Sequence, residues 1–549
     1  MRFTDDDLIE IIRLSEQDDL SSRQIASIYE CGKSTINNFL AKTTYTEFWE
    51  RYEERPTAGG EISPTVIQRT NIKSVSDKRV FIFTSAQNNT HIHPTFWQSL
   101  LQCAKHRDAQ IIVGTYKYNL SGFQNTESDD IWFDPKIRDY IIDSPLQVAD
   151  DLVWCGELNI LPTAVNPISG LNNYTGKDSC IIPHAKVQLE SIPSAKHAST
   201  KMAYTTGCVT QSNYIQKKAG QKGAHNHIYG ATIVEVDADG TWFARQLVAE
   251  SATGEFFDLD YYYEPTQVRK NESVLAVNWG DIHIEKLDDV VGRVSFGVGT
   301  TTESELPFKT NDANILDDLR PNYSFFNDII DFKVRNHHNR KNPLFKIKMH
   351  VDKTESVDFG LKQCGALLEI TDRDFCTQVI VNSNHDAALQ KWAVECNWSD
   401  DPVNSEFLLE CQLGLVKAVK NGDSNFCIFE HMVRTLTDPV SKTAKFLRLD
   451  ESFVIGGENG IECGYHGHTG NNGARGGIQS YRVAGMRYNL GHSHSAAIKD
   501  GVYVAGVTAK LDLGYNIGMS SWSNSHIITY HNNKRTIVTI KDGRYRGKF

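Results

Sequence analysis

The shortages in this chain are the first guide to what it can be. Proline is scarce, 15 in 549 residues, and no low-complexity tract interrupts a background of 40% hydrophobic and 23% charged residues, which excludes a disordered or collagen-like chain. No apolar run approaches the ~20 residues that a membrane-spanning helix needs. Met1 to Asp7 carries three aspartates where a secretion signal would be basic and then apolar, so a cytoplasmic chain with no membrane partner is expected. The cysteines, 11 of them, include no C-x-x-C pair, which argues against a disulfide framework or a zinc ribbon. A basic excess is missing too: 57 Lys+Arg against 68 Asp+Glu gives a net charge of -11, so any polyanion must be met by local patches. No internal repeat is visible.

What is present divides into four stretches. Residues 1–43 read as three short helices: Leu8, Ile9, Ile11, Ile12 and Leu14 on the first, Ser21 or Ser22 capping a second with Ile25, Ala26 and Ile28, and a Cys31-Gly32 turn before Ser34 and Thr35-Ile36-Asn37-Asn38-Phe39-Leu40. That is a helix-turn-helix pattern, with Arg23, Lys33 and Asn37 as DNA-contact candidates; a plain interaction bundle needs the same apolar spacing. Residues 44–78 lack periodicity and read as a linker. From 79 to 266 an α/β or α+β accessory domain is expected: strand Val80 to Phe83, helix Thr95 to His106, strand Ala109 to Val113, and a hairpin of Ala231 to Val236 with Trp242 to Val248.

The chemistry lies in residues 267–549, where acidic, amide and imidazole groups follow apolar strand-like runs at five stations. Val274-Leu275-Ala276-Val277 leads to Asp281 and His283, two residues apart and so on one side of an extended segment, able to grip one cation. Tyr323-Ser324-Phe325-Phe326 leads to Asn327, Asp328 and Asp331. Thr377 to Val381 leads to Asn384 and His385 at the start of a helix. Ile461-Glu462-Cys463-Gly464 leads to His466 and His468, and Gly491 to His492 and His494. Carboxylate, amide oxygen and imidazole without thiolate suit Mn²⁺, Fe²⁺ or Zn²⁺.

The order of these stations, D-x-H, D-x-x-D, N-H-D, an isolated histidine and G-H-x-H, resembles the signature of the calcineurin-like metallophosphoesterase superfamily, across roughly half the chain. Asn327 and Ser383 stand where the pattern has glycine, which removes no ligand side chain. The resemblance implies a four-layer αββα sandwich in the C-terminal half. It also implies two divalent metal ions, with Mn²⁺ the expected pair: Asp281, His283 and His494 on one, Asn384, His466 and His492 on the other, and Asp328 shared. His468 is a rival for the place of His466. His385 would assist the leaving oxygen, and the metals would activate water for attack on phosphorus.

The superfamily acts on proteins, nucleotides and nucleic acids, so local sequence must choose the substrate. Phe332 to Lys348 holds Lys333, Arg335, Arg340, Lys341, Lys346 and Lys348 and no acid, and His531 to Phe549 holds six Lys or Arg against one Asp. Phosphate tracking is one reading of these runs, a solvated surface the other. With the helix-turn-helix they favour a DNA phosphodiesterase of the Mre11/SbcD-like branch, resembling more narrowly the pre-early DNases of tailed phages that degrade host DNA in the infected cytoplasm. Two alternatives stay open: a phosphatase or nucleotide phosphodiesterase on small phosphoesters, and a DNA-binding or assembly protein with a vestigial metal site. The region 79–266 is left to restrict access, bind DNA or build a homo-oligomer.

Overall fold

The computed structural model describes residues 3–16, 20–29, 31–53, 69–118, 131–196, 198–336, 339, 342–437 and 443–548. These fall into two compact units, residues 1–68 with 169–176, and residues 69–168 with 177–549.

The first unit is helical. Helices α1 (Asp5–Glu16), α2 (Ser22–Ile28) and α3 (Lys33–Leu40) bury Leu8, Ile11, Ile25, Ile36 and Phe39 in one apolar cluster. Gln24 caps α2 by accepting the Ser21 N–H at 2.9 Å. The stretch read as linker opens with a fourth helix, α4 (Thr46–Glu53), because Phe48 and Trp49 among its charges still bury against Phe39. The Trp49 indole N–H donates to the Phe39 carbonyl at 3.0 Å.

The second unit is mixed α/β. Its first half runs β1 (Val80–Gln87), α5 (Pro94–Arg107), β2 (Ala109–Tyr116), β3 (Pro145–Ala149), β4 (Leu152–Cys155), β5 (Ser179–Ile182), β6 (Leu189–Ile192), β7 (Lys201–Thr205), β8 (Gly230–Val236) and β9 (Trp242–Val248). Its second half runs β10 (Ala276–Asn278), α6 (Asp289–Phe296), β11 (Tyr323–Phe326), α7 (Val357–Ile370), β12 (Thr377–Ile380), α8 (Asn384–Glu395), β13 (Lys445–Phe446), β14 (Val454–Ile455), β15 (Ile461–Glu462), β16 (Arg487–Leu490), β17 (Ala497–Lys499), β18 (Val502–Val504), β19 (Ser525–Thr529) and β20 (Arg535–Thr539). Strands buried on both faces explain the near-continuous apolar runs: every residue of β1 is buried, as is every residue of β10.

Three sheets organise this unit. A four-stranded sheet has the order β9-β8-β1-β2, and a six-stranded sheet β13-β12-β11-β10-β19-β20. The third, of 11 strands, crosses the boundary expected near residue 266: an edge strand Thr70–Asn71, then β3-β4-β5-β7-β6, then β17-β18-β16-β15-β14. The join is antiparallel, Leu189 facing Ile498 and Glu190 facing Ala497. Parallel strands β10, β11 and β12 deliver the first three stations at one end of their sheet, where an open α/β sheet places its ligands. Among the described residues no helix is long and apolar enough to cross a membrane.

Candidate metal centre

Each station begins where a strand stops. Beyond β10, the Asp281 N–H donates to the Gly506 carbonyl at 3.1 Å and its own carbonyl accepts from Thr508 at 2.8 Å, so the carboxylate is aimed by two backbone bonds. The His283 N–H reaches the Asp328 carbonyl at 2.8 Å and ties the first station to the second. His283, Asp328, His492 and His494 all have left-handed backbone, φ 44, 42, 71 and 57 degrees. Non-glycine residues held in that region are strained, and such strain gathers at functional sites. Gly491 is needed for a different reason: a Cβ there would lie 2.3 Å from Asp281 Oδ1.

The side chains converge in a buried cluster. Asp281, His283, Asp328 and His494 each offer a ligand atom within 4.8 Å of the others, as do Asp328, His466 and His492, so Asp328 belongs to both groups. His494 Nε2 lies 3.1 Å from Asp281 Oδ2 and 3.0 Å from His283 Nε2, and His466 Nε2 lies 3.1 Å from Asp328 Oδ2. Asn384, half-buried, opens α8 behind the Ser383–Asp386 capping box. His466 joins a ligand group, whereas His468, 5.5 Å from it between ring centroids, joins none.

Electrostatics favours a cation here. Burial works to raise the Asp281 carboxyl, but His466 and His494 outweigh it and hold the group below the usual range. Burial also opposes charge on His466, yet Asp328 and Asp281 lift it to about 9. His492 is pushed down to about 4 by burial and by the neighbouring His466, leaving a neutral ring able to ligate. Asp281 Oδ1, Asp328 Oδ1 and Asn384 Oδ1 are buried without a hydrogen-bond donor, a demand that a divalent ion would meet.

Asp331 went unassigned in the sequence, although its place three residues after Asp328 was the available signal. Its Oδ1 lies 3.3 Å from His283 Nδ1, turning that ring's Nε2 into the cluster, and its carbonyl lies 2.6 Å from His385 Nδ1. His283, Asp331 and His385 form a third close group.

The basic residues behave differently. Lys333 is buried and pairs with Glu303 at 2.6 Å, and Arg335 grips Asp401 through two bonds of 2.6 and 2.5 Å, because charge removed from water needs a partner. In the C-terminal segment Arg544 pairs with Asp237 and Asp239, and Arg546 with Asp260 and Asp318. Lys346 and Lys348 are exposed, as are Arg23, Lys33 and Asn37 in the helical unit. Arg340 and Lys341 lie outside the described residues. A cavity of about 420 Å³ abuts Asn384, with Trp392, Lys346, Lys391 and Arg335 in its wall.

Fold and site together define a mixed α/β protein with a buried aspartate–histidine cluster able to hold a metal ion. The chain belongs to the family of "Protein A1" of Escherichia phage T5, a bacteriophage protein, with which it is 39% identical over 501 residues, 90% of this chain and 86% of the relative. No family model matches the chain, and no solved structure matches it.

Proposed function

We propose that this protein is a deoxyribonuclease of the metallophosphoesterase type, hydrolysing DNA phosphodiester bonds in the bacterial cytoplasm during infection. The observation that carries the reading is Asp328 standing in two ligand groups at once, Asp281/His283/His494 and His466/His492, which is the arrangement a pair of divalent ions shares. Hard carboxylate oxygens mixed with imidazole, and no thiolate, favour Mn²⁺. When bound, such a pair supplies Lewis-acid polarisation of the phosphoryl oxygens and lowers the pKa of water to near neutrality.

The chain's own groups supply the rest. Asp331 orients His283, and its carbonyl makes His385 Nδ1 the protonated nitrogen, so that Nε2 is the end at which a proton is held or released to the departing oxygen. Burial of Asp281, His283 and Asp328 excludes bulk water around their charges. The cavity beside Asn384 is nucleotide-sized, and the exposed Arg23, Lys33 and Asn37 on α2 and α3 suit a duplex groove.

A second reading, hydrolysis of small phosphoesters, is favoured by one observation: Lys333 and Arg335 spend their charge on Glu303 and Asp401 rather than offering it to a phosphate track. The deciding experiment compares linear and circular duplex DNA with a small aryl phosphodiester, with Mn²⁺, Mg²⁺ or EDTA, in the parent and in His385→Ala. DNA cleavage that needs metal, falls steeply with salt and is lost in the variant supports the DNase. Turnover of the small ester alone, flat in salt, selects the second reading. DNA cleavage indifferent to EDTA and to His385→Ala removes the site from consideration. Deleting residues 1–43 tests the helical unit by its effect on DNA affinity.

A further inference from the structure

The two halves of the second unit have the same strand plan. In the first half β1 runs parallel to β2 and antiparallel to β8, which forms a hairpin with β9. In the second half β10 runs parallel to β11 and antiparallel to β19, which forms a hairpin with β20. The order β3-β4-β5-β7-β6, with senses antiparallel, parallel, parallel and antiparallel, is matched step by step by β14-β15-β16-β18-β17. Nine strands correspond in chain order, in pairing and in sense.

Backbone hydrogen bonds extend the match to single residues. Asp281 donates to the Gly506 carbonyl and accepts from Thr508; Ser85 donates to the Gly207 carbonyl at 3.2 Å and accepts from Val209 at 2.8 Å. Both make a parallel bridge one residue later, Asp281 to Val507 and Ser85 to Cys208. Ser85 therefore stands at the place of Asp281, and Gln87, two residues on, at the place of His283. Leu490 pairs with Val504 as Ile182 pairs with Thr205, which puts His184 at the place of His492 and Lys186 at that of His494. Glu462 pairs with Tyr488 as Val153 pairs with Cys180, which puts Glu157 at the place of His466.

The copies meet through equivalent elements. Leu189 and Ile498, equivalent by this register, face one another across the β6–β17 junction, the signature of an isologous contact about a local twofold axis. Glu190 and Lys499, again equivalent, form an ion pair at 2.6 Å, and β9 packs against β20. The junction lies beside the metal loop: the Ser191 N–H and hydroxyl both donate to the Ala496 carbonyl, at 3.2 and 2.8 Å, two residues beyond His494.

We propose that residues 80–248 are a degenerate second copy of the metal-centre fold, which has lost the aspartate and histidine ligand set and serves the other copy as a fused partner subunit holding the His492–His494 loop. The one imidazole at a ligand position in this copy is spent: His184 Nδ1 accepts the Lys186 N–H at 2.9 Å and Nε2 bonds the Leu161 carbonyl at 3.1 Å. A cation occupies the next position, Lys186, paired with Asp500 at 2.5 Å. Ser85 gives its hydroxyl to the Gly207 carbonyl at 2.6 Å. Fusion gives β17, a three-residue strand beside the His492–His494 loop, a second paired neighbour in β6, so that it is not left as an exposed edge.

This inference rests on the reading above only for which copy holds metal, and the test separates the two. Mn²⁺ held by the full chain after dialysis is counted in the parent, in Asp328→Ala/His494→Ala and in Ser85→Ala/Gln87→Ala/His184→Ala. The first variant is expected to hold none and the second to hold the parental amount; metal retained by the first and lost from the second would overturn the degeneracy. A parent that holds no Mn²⁺ sinks the proposed reaction instead, and the partner role is then decided by amide exchange. Ser191→Ala is expected to speed exchange of residues 488–497 by about fivefold, the factor for losing one hydrogen bond. Ser191→Thr stays near the parent, Ser191→Pro exceeds tenfold, and residues 276–283 remain unchanged in all three. Parental exchange in both Ser191→Ala and Ser191→Pro would refute the role.

Discussion

At corresponding backbone positions the two halves of the larger unit place opposite chemistry. Asp281 keeps a buried oxygen without a donor, while Ser85 closes its hydroxyl on a carbonyl; His492 is a neutral ring in a ligand group, while His184 has both nitrogens bound to backbone. Asp281 and Ser85 are equally buried, and at these two pairs of positions what differs is unsatisfied demand, although Gln87 Oε1 in the first half is also buried without a donor. A metal site is therefore recognised by carboxylate and imidazole lone pairs that the fold has aimed together and left without protein partners.

The comparison breaks most sharply at the shared carboxylate. Asp328→Ala is expected to lower the proposed metal-dependent hydrolysis on the order of a thousandfold with circular dichroism unchanged, measured as single-turnover rate at saturating Mn²⁺. Retention of the rate would mean that the two groups act separately.

Next comes Gly491, whose counterpart in the first half is Pro183. Gly491→Ala drives a Cβ to 2.3 Å from Asp281 Oδ1, so Mn²⁺ affinity should fall about 10- to 100-fold by calorimetry, with a stability loss of about 1–3 kcal/mol. Unaltered affinity would show that the Asp281 carboxylate can move aside.

The first half has its own charge cluster, and acid should expose it. Burial works to raise the Glu235 carboxyl, but Arg245 and Arg107 outweigh it and hold the group at about 2, below its ordinary 4.5. A depressed folded pKa contributes stability that is present above about pH 4.5 and is lost as pH falls toward 2. Of a full contribution of about 3 kcal/mol, about 2 kcal/mol is lost between pH 6 and 3, read from urea midpoints at those two pH values. Glu235→Gln should be less stable at neutral pH and lose this part of the acid dependence.

The smallest effect is reserved for Ser85. Ser85→Ala should cost about 1 kcal/mol in thermal or urea unfolding and leave Mn²⁺ content untouched, since only one hydroxyl bond is lost. A change in metal content would abolish the distinction between the halves.

Much of the site was legible along the chain because its chemistry is local. Asp281 with His283, and His492 with His494, are two residues apart, and apolar strand-like runs before each announce where a loop begins. The same locality made β1, α5, β2 and the β8–β9 hairpin readable from periodicity. Asp331 was overlooked because its role is to orient His283 and His385, contacts between loops far apart in sequence. The basic run after Asp328 suggested a phosphate track, yet the acids that neutralise Lys333 and Arg335 sit at Glu303 and Asp401, which no local window brings near.

Residue order alone determined which side chains were available as ligands, since donor type and spacing are covalent properties of the chain. Tertiary structure decided that Asp328 serves two groups, that His466 rather than His468 joins them, and that a strand plan repeats where no repeat is visible in the letters. The reason is physical: backbone pairing constrains topology while tolerating nearly any side chain that fits its burial, so architecture persists after the residues that once marked it have changed.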